Sequence, residues 1–335
     1  MLHRFSLTLT CTLLSFLSFG CDADNNGDDF AQCDPPSEAS LLALPPLLSQ
    51  AGLYRDISTE ELEEGVWAYQ PRFPLWTDGA TKRRWFFIPE GEVVDTRDMD
   101  QWRFPQGTKL FKEFTREGVR VETRIFTKTG HDDEAWTASS YLWLEDQSEA
   151  YLMPEGGDNQ LGTAHDVPSA AECSGCHGGR ASRVLGFSAV QLAWESPEGF
   201  AKVSELKASG ILPDSVPETL LLELSEHDRE ALGYLHANCS HCHNTTRPFS
   251  EGARCYNPEE DFDFSIPSSG IATLEEAPAY VTGIEEGVIN PGNATRSEFI
   301  QLFSGLGGGP QMPALGSESI DPYGMALLTS WVDGL

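Results

Sequence analysis

The chain has 335 residues, with 52 acidic side chains against 22 basic ones and a formal net charge of −30. Such a surplus makes nucleic acid and anionic membrane surfaces poor partners and favours encounter with a basic protein, although acidity also serves solubility alone. The length allows two domains and a substantial core.

Residues 1–20 read as a secretion signal. A charged start is followed by an apolar run from Phe5 to Phe19 that is too short to span a bilayer comfortably, and Gly20 precedes Cys21. The ending Leu17-Ser-Phe-Gly-Cys21 resembles a bacterial lipoprotein cleavage site, which implies a lipid on Cys21. Export is expected on either outcome: as a lipoprotein on the periplasmic face of the inner or outer membrane, or as a soluble periplasmic chain after ordinary cleavage. Residues 21–40 form an acidic tether, rich in Asn and Gly over Asp22–Asp29.

Residues 41–163 have a β texture after a short arm or helix around Leu41–Tyr54. Strands are expected over Lys82–Pro89, Thr108–Phe114, Gly118–Lys128 and Ala135–Leu144, where polarity alternates between Gly, Pro and Asp breaks. Along Val119–Phe126, Val119, Val121, Thr123 and Ile125 share one face, and Arg120, Glu122 and Arg124 share the other. Strands bunched without long helices between them suggest an antiparallel sandwich or barrel. Six of the eight Trp (67, 76, 85, 102, 136, 143) lie here, as a ligand-binding surface or as core packing and a cofactor wall. Arg83, Arg84, Arg120 and Arg124 are free to pair with carboxylates of either the chain or a cofactor.

The texture then turns helical, and the fold class expected is α+β: an antiparallel β-rich domain followed by a mainly α-helical region. Residues 164–224 form a first cofactor-binding segment and residues 225–335 a second domain. Helices are expected over Glu198–Ser209, Glu226–Ala237 and Met325–Val332. Each segment carries one Cys-x-x-Cys-His pentapeptide, Cys173-Ser-Gly-Cys176-His177 and Cys239-Ser-His-Cys242-His243. This is the attachment pattern of a c-type haem: two thiols one helical turn apart form thioethers, and the next residue brings an imidazole to the iron. Two matches in one exported chain point to two covalently attached haem c groups, with His177 and His243 as iron ligands.

The eight cysteines then divide simply. Cys11 leaves with the signal, Cys21 takes lipid, four hold haem, and Cys33 and Cys255 remain, for a disulfide between them or as two separate thiols. For the sixth iron ligands, Met312 stands beside Pro313 in a Gly-rich loop suited to bending a thioether toward the second haem, while Met325 belongs to the final helix. No Met lies between His177 and Cys239. The first haem must therefore use His165, the first choice, or one of His131, His227, His236, Met99, Met153 or a Lys, or keep an open position. His241, inside the second motif, is expected to face solvent or a haem propionate.

The stretch from Tyr234 through Asn238-Cys239-x-x-Cys242-His243-Asn244, then Asn290-Pro-Gly-Asn-x-x-Arg-Ser, Gln311-Met-Pro-Ala-Leu-Gly and a last helix with Trp331 resembles a class I cytochrome c module. In that family the Met of a Met-Pro loop is the second axial ligand, and the matching position is Met312. Upstream, Phe73-Pro-Leu-Trp-Thr-Asp-Gly-Ala-x-Lys-Arg-Arg-Trp, then Trp102-x-Phe-Pro-x-Gly-Thr-Lys, then Leu185-Gly-Phe-Ser-x-x-Gln-Leu192 after the first motif, resemble exported bacterial diheme c-type cytochromes with a Trp-rich β region. The resemblance covers roughly residues 45–335. It implies single-electron transfer between redox partner proteins, with no nucleophile elbow, zinc helix or phosphate loop in view. Two other readings stand beside it: a diheme peroxidase-like enzyme with an open coordination site at the first haem, and a sensor whose β domain holds a ligand.

Overall fold

The computed structural model describes residues 37–246, 262–305, 311–313 and 316–335. Cys21, where a lipid is expected, and Cys33 and Cys255, expected to pair, lie outside these residues. Along the chain come α1 (Glu38–Leu42), β1 (Tyr54–Asp56), β2 (Glu61–Leu62), β3 (Val66–Ala68), β4 (Thr81–Phe87), β5 (Lys109–Arg116), β6 (Val119–Lys128), β7 (Trp136–Trp143) and β8 (Ala150–Leu152). Then follow α2 (Ala170–His177), α3 (Ala189–Leu192), α4 (Val203–Ala208), α5 (Glu226–Asn238), α6 (Pro278–Glu285), α7 (Glu298–Ser304) and α8 (Pro322–Gly334). The class is α+β. Among the described residues, no helix is long and apolar enough to cross a membrane.

Strands β3 to β8 pair in sequence order as one antiparallel meander. Local chemistry sets this order. Between β5 and β6 the chain reverses through Glu117 (φ 52°) and Gly118 (φ 84°), the paired positive angles that a two-residue hairpin with the native twist demands. In place of the expected sandwich or barrel stands one six-stranded sheet, with β1 and β2 as a separate antiparallel pair, and both faces of the large sheet are buried. One face carries Trp85, Phe111, Ile125, Tyr141 and Trp143 under the arm from Leu44 to Tyr54. There the Trp143 indole donates to Thr123 Oγ1 at 3.1 Å, which satisfies the one hydroxyl set among the apolar side chains. The opposite face carries Phe86 and Leu110 beneath Phe187, Leu192, Val203 and Leu206. Trp85, Trp102 and Trp143 are all buried, so these indoles act as core rather than as an exposed binding surface.

A further core gathers α5 to α8 around Leu232, Leu235, Ile289, Ile300, Leu328 and Trp331. Residues 71–78 leave the sheet and lock onto this helical part. The Trp76 amide donates to Asn238 Oδ1 at 2.7 Å, its indole donates to the Ser319 carbonyl at 3.1 Å, and Asp78 accepts from the Ser319 amide at 2.8 Å. Phe73 packs so tightly on α5 that a Cβ at Gly233 would stand 2.1 Å from its ring.

Gly233→Ala should therefore lower the unfolding free energy by about 1–3 kcal/mol through overpacking, despite alanine's better helix propensity. Denaturant melts would measure this, and adding Phe73→Leu should recover part of the loss. A gain in stability for Gly233→Ala would contradict the packing described.

Candidate functional site

The sheet's second face holds an arrangement that hydrophobic patterning does not explain. Arg84 on β4 is opposite Lys112 on β5, Lys112 is opposite Arg124 on β6, and Arg124 is opposite Ser140 on β7. Three cations thus lie side by side across three strands, where like charges repel. Arg124 pairs with Glu122 at 2.6 Å. Arg84 is buried, and no acidic side chain pairs with it or with Lys112 among the described residues. Burial and the neighbouring Arg84 and Arg124 push the Lys112 ammonium well below its ordinary range. Of the four arginines noted in the sequence, Arg83 and Arg120 instead bind Glu60, at 2.6 and 2.7 Å.

This row lines a cavity of about 320 Å³. Cys173 and His177 line it from α2, His236 from α5, His241 from the second motif, and Arg180 from the connection after α2. Helix α2 begins at a capping box in which Ser169 and Glu172 satisfy each other's backbone amides. It ends at His177, so the first motif occupies the helix's last two turns and its side chains rise on one side of it. The second motif follows α5 directly: Cys239 caps that helix by donating its amide to the Leu235 carbonyl.

The two motifs are bonded to each other. Arg180 donates to Ser240 Oγ at 2.6 Å, and buried Asn244 donates to the carbonyls of Gly179 at 3.0 Å and Ser240 at 2.9 Å. Sixty-six positions separate Cys173 from Cys239 in the chain, yet the residues after one motif hold the backbone of the other.

The histidines differ in which nitrogen they offer. His177 Nδ1 lies 2.6 Å from the Arg183 carbonyl, which accepts only, so Nδ1 carries the proton and Nε2 keeps its lone pair. Arg183 adopts a left-handed backbone (φ 58°) to present that carbonyl, a strain typical of residues fixed by a site. Burial pushes the His177 imidazole down to about 4, so it is neutral at pH 7 and able to ligate. His236 is the reverse: its Nδ1 accepts from the Ile266 amide at 3.0 Å, which leaves its proton on Nε2.

His165 is buried, and its Nε2 lies 2.8 Å from Glu122 Oε1. It is not among the residues that line the cavity. The expectation that it folds over the first haem meets a ring already tied to a carboxylate. His227, another candidate for that position, is exposed and bonds Ser330 at 2.9 Å. His241, expected to face solvent or a propionate, does not face solvent: it is 8% exposed and lines the cavity, and its Nδ1 has no hydrogen-bond partner among the described residues. Sequence reasoning missed it because the motif fixes the Cys and His spacing but not the direction of the residues between.

The remaining second-site residues lie on the helical side. His243 stacks on Phe262 with ring centres 4.5 Å apart and presents an edge to Phe264. Met312 is half-buried, and its amide donates to Leu302 at the end of α7. Burial pushes the Cys173 and Cys239 thiols up to about 12, and Cys176 is raised by the same cause. Among the described residues, no three His, Cys, Asp or Glu side chains converge as a cage for a metal ion. No family model, curated protein or solved structure matches the chain.

The Glu122 network should be visible in acid. Burial alone would raise this carboxyl, yet Arg124 and His165 hold it down to about 2. Its stabilising contribution is complete above the ordinary carboxyl range and is lost as pH falls through the folded value. Glu122→Gln should cost ~3 kcal/mol at pH 7 by leaving Arg124 unpaired, and should flatten the fall in stability between about pH 4.5 and 2. Urea midpoints across that range would read both effects.

Proposed function

We propose that this chain is an exported diheme c-type cytochrome that relays single electrons between redox partner proteins. Cys173, Cys176 and His177 hold one haem, and Cys239, Cys242, His243 and Met312 hold the other. The observation that carries this reading is the state of His177. In one residue the first motif combines a neutral imidazole, an Nδ1–H fixed by a carbonyl and an Nε2 lone pair beside a cavity, which is the outer-shell arrangement of a metal-ligating histidine.

Other features of the cavity fit the same group. Haem is a dianionic, largely apolar disc. The walls offer Phe73, Phe126, Phe187 and Val190 beside Arg84, Lys112, Arg124 and Arg180. Arg84 and Lys112, with no acidic pair among the described residues, suit carboxylates arriving with a cofactor. When bound, haem iron supplies a one-electron couple whose potential the protein sets through axial ligands, burial and hydrogen bonds. The bonds from Arg180 and Asn244 hold the motifs together, so the chain fixes the spacing between its two redox centres. The α5-to-α8 part, with Trp331 packed on α5 and Met312 beside α7, supports the class I cytochrome c resemblance of residues 225–335. A Cys21 lipid would tether the molecule to a periplasmic membrane face, and the acidic surface would draw basic donors and acceptors.

Mass spectrometry of the exported protein should find two haems, falling to one when Cys173 and Cys176 are both replaced by Ala, and likewise for Cys239 with Cys242. Met312→Ala should abolish the near-infrared sulfur-to-iron band of the oxidised protein while keeping both haems. A haem-free exported chain would overturn this reading. A first haem that is high-spin and turns over peroxide would replace the relay with an enzyme of the peroxidase type.

A further inference from the structure

The two motifs share more than a backbone contact. His241 belongs by sequence to the second motif, flanked by Cys239 and Cys242, but its side chain lines the cavity that holds Cys173 and His177. It is more than nine-tenths buried, its Nδ1 is unpartnered, and its ring makes no hydrogen bond among the described residues. A buried imidazole without a partner costs free energy unless something absent from the bare chain engages it. It also lies close enough to His177 for their charges to repel, and to Arg180, Lys112 and His243 as well.

The competing side chains are each committed. His236 has its proton on Nε2, because Ile266 donates to its Nδ1, so this ring can donate to a bound group but offers no lone pair there. His165 gives Nε2 to Glu122 and lies away from the cavity lining. Lys112 lies over the Phe114 ring at 4.9 Å, within the cation row. Met99 packs with the sheet-side core and Met153 beside Val121, Leu142 and Val167. Among the described imidazoles that line the cavity, only His177 and His241 have a nitrogen free to meet a metal.

Resting on the diheme reading above, we propose that His241 is the sixth iron ligand of the first haem, so that the second Cys-x-x-Cys-His segment ligates both haems. His177 and His243 each serve their own haem, and His241 reaches across to the neighbour's. The first haem is then bis-histidine and closed to exogenous ligands. A single pentapeptide would hold one haem through Cys239 and Cys242, offer His243 to that haem's iron and His241 to the other iron, so a shift of the segment moves both couples together.

The test uses the holoprotein with its haem content counted by mass spectrometry. The wild type should give two low-spin signals in low-temperature electron paramagnetic resonance. His241→Ala should keep two covalent haems while one low-spin signal is lost and replaced by a high-spin signal that shifts on adding cyanide. The lost signal should be the one that His177→Ala also removes, and His241→Met should restore a low-spin centre with a second near-infrared band. Circular dichroism of each variant separates ligand loss from misfolding. Two low-spin signals surviving in a folded His241→Ala protein would overturn the proposal, and so would a first haem already high-spin in the wild type. So would conversion to high-spin by Lys112→Met or His165→Ala in place of His241→Ala. A wild-type count below two haems would instead sink the diheme reading on which the proposal stands.

Discussion

A sheet face that is both buried and positively charged is the constraint around which this molecule is built. Arg84, Lys112 and Arg124 stand in register across three strands, inside a protein whose net charge is −30. An ordinary apolar layer cannot close over such a row, because dehydrating an unpaired cation costs several kcal/mol. The segment after β8 therefore closes over Phe86 and Leu110 through Phe187 and Leu192, and leaves a cavity over the charges. The other face has no such restriction and is sealed by Trp85, Phe111 and Trp143 under the N-terminal arm.

The helical part reaches the same cavity from the far side. Phe73 wedged on Gly233, Trp76 bonded to Asn238, and Asp78 gripping the Ser319 turn bring α5 against the chain leaving the sheet. Helix α5 then places the second motif against the loop that follows the first. Neither part contains the site alone: α2 supplies the thiol and His177, the sheet supplies charge, and α5 with its extension supplies His236 and His241. Protonation follows from backbone partners. A carbonyl beside His177 and an amide beside His236 give two neighbouring rings opposite tautomers.

The four long strands were legible in the sequence to within two or three residues, since alternation and Gly-Asp-Pro punctuation act locally. Helix α5 was equally legible, because Ser225 and Asp228 cap its start and Ala231, Leu232 and Leu235 mark its buried side. What failed was information about what covers a surface. Alternation separated Glu122 and Arg124 from Thr123 and Ile125 correctly, but a polar row facing a cavity reads like a polar row facing water. Hence a single sheet with two buried faces looked like a sandwich or barrel. The helix expected over Glu198–Ser209 begins only at Val203, after Pro197 and Gly199 have held the chain in a turn. Helices α6 and α7, of eight and seven residues, carry too few turns to show a period. The motif cysteines and histidines were plain from spacing, whereas the inward turn of His241 depends on Arg180 and Asn244 gripping its neighbours.

The surroundings of the motif thiols also bear on when they react most readily. Reaction at sulfur needs a thiol that deprotonates readily, and Cys173 and Cys239, though partly exposed in the closed chain, are lifted by desolvation to about 12. A group that bonds sulfur would meet a readier thiolate in the open polypeptide, before the sheet, the loop after α2 and the end of α5 come together. Chemistry at these two positions is thus favoured before collapse and slowed after it.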